Sequence, residues 1–299
     1  MKSYTIIDNE SGEIITEDFK VDTLEDTKRK RKFVKNDRLE NEFKDMQSEY
    51  FGEFVYFIFN NLDTLSQKLN DSELVKFIYL GTFVKPDRAL KLDNNKTYIT
   101  KTMLTKILNI SSTNSNKFYN TLVEKKLIKE TEKGIFVNPN FFFKGSNEEY
   151  KKYTKKNLKD FARLYIESTR LLYEETNYRN HSKLAVVYKL IPFCNWKYNI
   201  LCKNPDEAKR DKLEVITVEE AIKLIGYGKG NHIKKFVDDL TILEVEGYNI
   251  FLRIGKDYKV KNDIIVINPL VYYRGNDIEE LQYLIDLFHI CTKDYRRLK

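Results

Sequence analysis

Few features of this 299-residue chain suit a cross-linked, metal-binding or membrane protein. The three cysteines, Cys194, Cys202 and Cys291, are odd in number and lack close ligand spacing, so neither a disulfide framework nor a zinc site is supported. No apolar run approaches the roughly 18 residues that a membrane helix needs, and the first residues lack the basic-then-apolar order of a signal peptide. We therefore expect a reduced, cytoplasmic protein with no membrane partner.

Catalytic motifs are missing as well. The three histidines His181, His232 and His289 show no ligand pattern, so the His-apolar-His metal pair of rolling-circle nickases is absent. GYGKGN (residues 226–231) lacks the spacing of a nucleotide-binding P-loop, and neither a Gly-x-Ser-x-Gly motif nor a pair of catalytic carboxylates stands out. We expect a protein that is not an enzyme and that uses no cofactor.

The composition is that of a folded chain with a modest positive charge. Apolar residues make up 41% of the sequence and aromatic residues 13%, and with only five prolines there is little room for long linkers, so about two compact domains are expected. Lys plus Arg exceed Asp plus Glu by 52 to 45, a net charge of +7. This excess favours a nucleic acid or another polyanion as partner only weakly, because it is spread over the whole chain.

A duplicated motif organises the chain. GIFVNPNFFFKGSNEE (residues 134–149) and DIIVINPLVYYRGNDIEE (residues 263–280) share an aliphatic residue, Asn-Pro, two aromatic residues, a basic residue, glycine and a late glutamate. Upstream, SELVKFIYLGTFV (residues 72–84) aligns with SKLAVVYKLIPFC (residues 182–194), and each predicts a first helix. The repeat therefore extends well beyond the motif, as in proteins built from tandem units.

The same correspondence continues through a second and a third helix. YITKTMLTKILNIS (residues 98–111) aligns with VITVEEAIKLIGYG (residues 215–228), with Thr100 and Thr217 placed to cap these helices. The third helix has Phe118 and Leu122 on its buried edge in the first copy. In the second copy the corresponding residues are Ile233, Phe236 and Leu240. Two short strands follow in each copy, the second pair being longer and more basic.

Helix, helix, turn, helix and β-hairpin is the order of a winged helix, in which the third helix enters the major groove and the hairpin is the wing. The predicted fold is α+β, mainly α, with two tandem winged-helix modules joined by a long helix. The predicted boundaries are an N-terminal basic and charged arm (1–48) that includes KRKRKFVK, a first module (49–147), a linker helix (148–181), a second module (182–277) and a C-terminal helix (278–299).

The duplicated motif is interpreted mainly as the structural end of a module. Asn-Pro ends the last strand because proline cannot donate to a sheet ladder. Ser146 with Glu149, and Asn276 with Glu279, have the spacing of a capping box and predict that another helix begins after each motif. A second interpretation remains open, in which Lys144 and Arg274 bind phosphate groups.

The order SELVKFIYL, ITKTMLTKILNIS, hairpin and VNPNFFFKGS resembles the winged-helix replication proteins of Gram-positive plasmids and the related helix-turn-helix proteins of phages. The first residues, IIDNESGEIITED, are similar to the start of such proteins. The resemblance covers residues 50–150 well and residues 182–280 more loosely. Two modules in one chain resemble the plan of theta-type plasmid initiators that bind repeated origin sequences. The resemblance implies sequence-specific binding of duplex DNA.

Candidate recognition residues follow from the third helix of each module. In the first they are Thr113, Asn116, Lys117 and Asn120, which face away from the buried edge, with Ser112 and Asn114 at the tip of the helix. Asparagine can pair bidentately with adenine, and hydroxyls and lysine suit phosphates or base edges. The alternative interpretation is that this Ser/Thr/Asn cluster only caps a helix.

In the second module the candidates are more basic, which favours binding of the DNA backbone over reading of bases. They are Lys229, Asn231, His232, Lys234 and Lys235 at the helix, and Arg253, Lys256, Lys259 and Lys261 in the hairpin. A solvated hairpin is the alternative for the last four.

The expected partner is therefore double-stranded DNA. We predict a plasmid or phage replication initiator that binds repeated origin sites, with a transcriptional regulator of the same fold as the alternative. A homodimer, formed through one of the apolar helix stripes, and host replication proteins are the further partners that this prediction allows.

Overall fold

Two units make up the computed structural model of the protein, residues 1–49 and residues 50–299. The structure describes residues 2–7, 14–21, 42–227, 232–255 and 259–297. In the first unit, strand β1 (Lys2–Ile7) pairs antiparallel with strand β2 (Ile14–Val21), a hairpin that the sequence did not predict within the charged arm. The basic run of residues 28–35 lies outside the described residues.

After this hairpin the chain is a mixture of helices and small antiparallel sheets. In chain order the elements are α1 (residues 42–51), β3 (Phe54–Ile58), α2 (Leu62–Lys68), α3 (Asp71–Gly81), α4 (Leu104–Ile107), α5 (Ser112–Glu124), β4 (Ile128–Thr131), β5 (Gly134–Val137), β6 (Phe142–Phe143), α6 (Asn147–Thr154), β7 (Phe161–Tyr165), α7 (Ile166–Glu175), α8 (His181–Leu190), α9 (Val218–Leu224), α10 (Ile233–Thr241), β8 (Glu244–Val245), β9 (Tyr248–Asn249), β10 (Phe251–Ile254), β11 (Ile264–Ile267) and α11 (Ile278–Arg297).

The predicted order of three helices and a hairpin occurs twice. In repeat 1 (residues 54–143) it is α3, α4, α5 and the β4–β5 hairpin, and in repeat 2 (residues 161–273) it is α8, α9, α10 and the β10–β11 hairpin. Each repeat also begins with a strand and a helix, β3 with α2 and β7 with α7. The terminal helix predicted for residues 278–299 is present as α11.

The central sheet joins the two repeats symmetrically. Strand β3 pairs antiparallel with β7, with Tyr56 opposite Arg163 at the centre of both strands. At the two ends, Phe54 lies opposite Tyr165 and Ile58 lies opposite Phe161. On the outer edges, Phe143 pairs with Tyr56 and Tyr273 pairs with Arg163. Exchanging the repeats leaves this pairing unchanged, which is the pattern that a two-fold axis through the Tyr56–Arg163 pair generates.

Helix packing across the same axis completes the joint between the repeats. Helix α3 packs directly against its counterpart α8, and most of their side chains are buried. The rings of Tyr79 and Tyr173 stack with centroids 4.1 Å apart, and Lys189 forms an ion pair with Asp71 at 2.5 Å. Because both repeats supply apolar surface to one buried cluster, neither is expected to keep its core if the other is removed.

The duplicated Asn-Pro motif has the same structural task in both repeats. The Asn138 amide donates to the carbonyl of Lys126 at 3.0 Å and its oxygen accepts from the backbone N–H of Asn140. The Asn268 amide donates to the carbonyl of Asn249 at 2.9 Å and its oxygen accepts from the N–H of Leu270. Each asparagine thus fastens the end of the hairpin to its beginning and forms the turn that follows.

The aromatic residues of the motif are buried in both repeats. Phe142, Phe143, Tyr272 and Tyr273 are each 0% exposed, and Phe143 and Tyr273 pair with the central strands at Tyr56 and Arg163. The glycine after them has no room for a side chain. A Cβ at Gly275 would lie 2.5 Å from the hydroxyl oxygen of Tyr273.

Of the two predicted capping boxes, one is confirmed and one is shifted. The Ser146 hydroxyl and the Glu149 carboxylate cap α6 reciprocally. At α11 the cap is Asp277, one residue later than the predicted Asn276, and its carboxylate accepts from the N–H groups of Glu279 and Glu280. A carboxylate is the stronger acceptor for the orphan N–H groups of a first turn.

The single long linker helix predicted for residues 148–181 is wrong. Helix α6 ends where Lys155 adopts a left-handed conformation (φ 60°), and the chain then forms β7 before α7 begins. The roughly helical intervals between Tyr153, Leu158, Phe161, Tyr165 and Leu172 predict a helix, but a strand at Phe161–Tyr165 gains a full ladder of hydrogen bonds with β3. Tertiary pairing therefore overrode the local pattern.

Two smaller predictions also need correction. Thr217 caps α9 as predicted, whereas Thr100 makes no capping bond because a single 3-10 turn, Lys101–Met103, precedes α4. The long strand pair predicted in repeat 2 is two hairpins, since β8 and β9 pair with each other before β10 begins. The tight turn between β8 and β9 is formed by Glu246 and Gly247, both with positive φ.

The two motif asparagines make the same bonds at different depths, which gives a stability prediction. Asn268 is 1% exposed and Asn138 is only partly buried. We expect Asn268→Ala to lower the free energy of unfolding by about 2–3 kcal/mol, since a buried carbonyl loses its donor, and Asn138→Ala to lower it by about 1 kcal/mol. Urea denaturation measures both, with Asn116→Ala on an exposed helix face as the control. Equal losses at both positions would contradict this account.

Candidate nucleic-acid interface

Helix α5 separates a buried face from a polar one. Its N-terminus is capped by Ser111, whose hydroxyl accepts from the N–H of Asn114. Phe118 and Leu122 are buried as predicted, together with Ser115 and Tyr119. The predicted recognition residues are all exposed, and the structure places them together along the first two and a half turns: Ser112, Thr113, Asn114, Asn116, Lys117 and Asn120.

These polar side chains have no structural task within the described part of the chain. None of the six makes a side-chain hydrogen bond or an ion pair with a described residue. Capping is done by Ser111, so the cluster is more than a cap. The helix itself is firmly held, because the Tyr119 hydroxyl donates to the Glu130 carboxylate of β4 and Lys101 lies 4.8 Å from the centre of the Tyr119 ring.

Helix α10 is the counterpart in repeat 2. Phe236 and Leu240 are buried as predicted, and Ile233 is half-buried against the core. Lys234 and Lys235 are exposed, and His232 precedes the helix half-buried, without a capping bond from its side chain. The structure therefore places the two lysines and His232 together at the start of α10. Lys229 and Asn231 lie outside the described residues.

Asp239, the buried acidic residue of α10, has a structural role. Asp239 is 7% exposed and forms an ion pair with Lys183 at 2.8 Å, while the Tyr227 hydroxyl donates to its other oxygen. Burial, together with this hydrogen bond, raises the pKa of Tyr227. Asp239 thus ties α10 to α8 and to the turn after α9, which sets the direction in which Lys234 and Lys235 point.

Part of the positive charge in the β10–β11 hairpin is neutralised within the protein. Arg253 forms an ion pair with the buried carboxylate of Asp263 at 3.1 Å, and Lys261 lies 3.8 Å from Glu219. Lys256 lies outside the described residues. The hairpin is therefore the less distinctive part of the predicted interface.

The basic residues of the duplicated motif are both ion-paired, Lys144 to an acid just before β3 and Arg274 to one between α8 and α9. Lys144 binds Glu53 at 2.6 Å and Arg274 binds Asp206 at 2.9 Å, and each basic side chain is 22% exposed. The hydrogen bond from Lys144 lowers the pKa of the Glu53 carboxyl. Both Lys144 and Arg274 therefore have a carboxylate partner within the protein. In the sequence, both residues lie well after the exposed faces of α5 and α10.

Among the described ranges, no three His, Cys, Asp or Glu side chains come together as metal ligands, and no helix is long and apolar enough to cross a bilayer. No protein-family model, curated protein or solved structure matches the chain. The geometry of α5 and α10 therefore carries the functional argument.

Sequence reasoning missed one group of exposed cations. The stretch YKKYTKKNLK (residues 150–159) contains five lysines and no acidic residue, and all five lysines are exposed. The run of lysines is visible in the sequence. It falls within the predicted linker helix, however, and lysines on the solvent-facing side of a helix need no functional explanation.

A cavity of about 790 Å³ lies between the repeats beside the start of α5, and His181 is one of its lining residues. The Nε2 atom of His181 lies 2.9 Å from the carbonyl oxygens of Tyr173 and Thr176, so this nitrogen carries the proton. Burial lowers the pKa of His181 below its ordinary value of 6.5. The imidazole is therefore a neutral structural donor.

The lowered pKa of His181 predicts a pH-dependent stability. A folded-state pKa below the unfolded value means that the unfolded chain binds the extra proton, so the stability that is present above about pH 6.5 is lost as the pH falls. We expect the free energy of unfolding to decrease between pH 7.5 and 5.5 by at most about 1.4 kcal/mol per pH unit from this residue. His181→Gln, measured by urea denaturation across this range, should flatten the dependence. An unchanged slope would show that another group titrates.

Proposed function

We propose that the chain is a sequence-specific double-stranded DNA-binding protein built from two winged-helix modules, repeats 1 and 2. The observation that carries this proposal is the polar face of α5. It presents Ser112, Thr113, Asn114, Asn116, Lys117 and Asn120 to solvent on a firmly held third helix, and none of them has a partner within the described chain.

The chemistry of this face suits the major groove. The groove of B-DNA, roughly 12 Å wide, admits an α-helix, and in helix-turn-helix proteins the N-terminal residues of the third helix contact the base edges. Asn116 and Asn120 lie four residues apart on the same side of α5 and can each donate to and accept from adenine. Lys117 suits a guanine edge or a phosphate oxygen.

The corresponding region of repeat 2 suits the DNA backbone. Lys234 and Lys235 lie at the first turn of α10, where the helix dipole also favours an anion. Arg253, Lys256, Lys259 and Lys261 of the hairpin are the further candidates, although Arg253 and Lys261 also have carboxylate partners within the protein. Repeat 1 would then supply most of the base reading and repeat 2 much of the phosphate binding.

The symmetry of the central sheet adds a statement about the DNA site. We infer that the same two-fold relation extends to α5 and α10, as it does to the two recognition helices of a symmetric dimer. Such proteins bind half-sites of opposite orientation, centred about one helical turn apart. The two half-sites should differ in sequence, because NSNKFYN and GNHIKKF differ.

The biological role that we propose is initiation of plasmid or phage replication at repeated origin sites. Its support is the resemblance of the first repeat to the winged-helix replication proteins of Gram-positive plasmids. A transcriptional regulator uses the same DNA chemistry and is the second candidate. A plasmid that carries the gene with its flanking sequence, but no other origin, distinguishes the two roles. Replication of this plasmid in a permissive host supports initiation. If the plasmid is not maintained although the protein still binds DNA, a regulatory role is supported.

The proposal predicts different effects for the two helices. Asn116→Ala with Lys117→Ala should weaken binding to a selected duplex by about 2–4 kcal/mol and reduce the preference over random duplex, since base contacts are lost. Lys234→Ala with Lys235→Ala should weaken binding to both duplexes alike and lower the salt slope by about two units. Fluorescence anisotropy titrations at several salt concentrations measure both quantities.

A matched control is Lys203→Ala with Lys223→Ala. Both lysines are exposed and ion-paired to glutamates in repeat 2, so their removal changes the net charge by the same amount as the α10 pair without touching α10. If the α5 and α10 variants bind DNA no worse than this control, the proposed interface is wrong.

The half-site orientation can be tested separately. Nuclease footprinting should show two protected half-sites of inverted orientation, and inverting one of them in a synthetic duplex should reduce the affinity to that of a single half-site. Single mismatches within a half-site should cost about 1–3 kcal/mol each. Equal affinity for the inverted and native arrangements would contradict the symmetric placement of the two helices.

A further inference from the structure

The helix after repeat 1 carries an unneutralised cluster of cations. We propose that Lys151, Lys152, Lys155, Lys156 and Lys159, together with Arg88, form a second, sequence-independent surface for the phosphate backbone of duplex DNA. We name it the α6 surface. The inference rests on the proposed function, since it assigns these residues to DNA that flanks the half-site bound by α5.

The α6 surface combines five lysines within ten residues with the absence of carboxylate partners for them among the described residues. Some basic residues of the described part of the molecule are ion-paired, as Lys144, Lys183 and Arg170 are with Glu53, Asp239 and Asp93. The five lysines of residues 150–159 form no hydrogen bond or ion pair through their side chains with any described residue. Their charge is available to an external polyanion.

Local structure fixes these lysines in place. The turn after α6 folds back, because the Leu158 N–H donates to the Asn147 side chain at 2.7 Å and the Leu158 side chain packs beside Ile58, Phe143 and Tyr150. The Thr154 hydroxyl accepts from the N–H of Lys156 at 3.2 Å. The apolar residues therefore point inward and the lysines outward from one rigid helix end.

Arg88 joins this surface to repeat 1. Its guanidinium lies 4.1 Å from the centre of the Tyr153 ring on α6, and its buried Nε atom has no hydrogen-bond partner. The carbonyl of Arg88 accepts from the N–H of Val137, the last residue of the β4–β5 hairpin. The α6 surface thus adjoins the hairpin that forms the wing in the proposed function, and it would extend the contact with the backbone beyond it.

A purely structural explanation accounts for only part of the cluster. Cations near a helix C-terminus are favoured by the helix dipole, but this effect is confined to the last turn of α6. Lys156 and Lys159 follow the helix. The corresponding stretch of repeat 2, residues 281–290, contains no lysine or arginine, so the shared fold does not require them.

The test compares two variants of the full chain that lose the same charge. The first is Lys151→Gln, Lys152→Gln, Lys156→Gln and Lys159→Gln on the α6 surface. The control is Lys203→Gln, Lys209→Gln, Lys212→Gln and Lys223→Gln, all exposed lysines of repeat 2. Thermal unfolding followed by circular dichroism verifies that both are folded. Affinity is then measured against salt for a selected duplex and for a random duplex of equal length.

We expect the α6 variant to lose affinity for both duplexes by a similar factor, at least about tenfold relative to the control near 0.1 M salt, and to lower the salt slope by about three units. Its preference for the selected duplex should stay unchanged. A slope and affinity equal to those of the control would overturn the inference.

Two further outcomes separate this inference from the proposed function. If Asn116→Ala with Lys117→Ala loses the sequence preference while the α6 variant equals the control, the proposed function stands and the inference fails. If wild type prefers no sequence but the α6 variant still weakens binding, the inference survives as a polyanion surface and sequence-specific recognition fails. Vesicles of phosphatidylserine with phosphatidylcholine are the last probe: if the α6 variant impairs binding to these vesicles alone, the partner is a membrane and the inference is wrong.

Discussion

The pairing of β3 with β7 is the constraint on which the rest of the structure depends. Strand β3 lies between β6 and β7 in the central sheet, and the register that sets Tyr56 opposite Arg163 is unchanged when the repeats are exchanged. Because the side-chain period of a strand is two, a slip of one residue would turn every buried side chain of these strands to the opposite face. This pairing, with the packing of α3 on α8, sets the relative orientation of the two proposed recognition helices.

The repeats have kept their supporting structure and diverged in surface chemistry. The bonds of Asn138 and Asn268 are equivalent, and so is the burial of the aromatic residues, while Lys144 and Arg274 are both ion-paired but to acids at different places in their repeats. The exposed faces differ: α5 presents mainly hydroxyls and amides, whereas the start of α10 presents lysines. This division is what one chain needs if its two halves bind different parts of one asymmetric DNA site.

Much of the fold could be predicted from the sequence, because the repeat showed which residues share a structural role. The buried edge of α5, with Phe118 and Leu122, and that of α10 follow from helical spacing and were confirmed. The long linker helix was wrong because the pairing of Phe161–Tyr165 with β3 joins segments about a hundred residues apart, and local spacing carries no information about such a partner. The cap at Asp277 illustrates the usual uncertainty of one residue at a helix end.

The candidate site was predictable in part. The polar face of α5 could be identified from residue types and spacing, and the structure adds that Ser111 does the capping, which leaves the other polar residues without an internal task. The ion pairs of Lys144, Arg274 and Arg253 could not be foreseen, since Glu53, Asp206 and Asp263 come close to them only through the tertiary fold. The lysines beyond α6 became conspicuous only when the linker helix was replaced by a short helix and a tight turn.

Amide hydrogen exchange of the full chain, with and without a duplex enriched from a random library, tests the central claim most directly. The account predicts that DNA slows exchange at the start of α5 and at the start of α10 together, while the buried strands β3 and β7 are unchanged. Protection confined to one of the two helices, or failure of the library to yield any enriched sequence, would contradict the claim that both repeats of one chain bind a single DNA site.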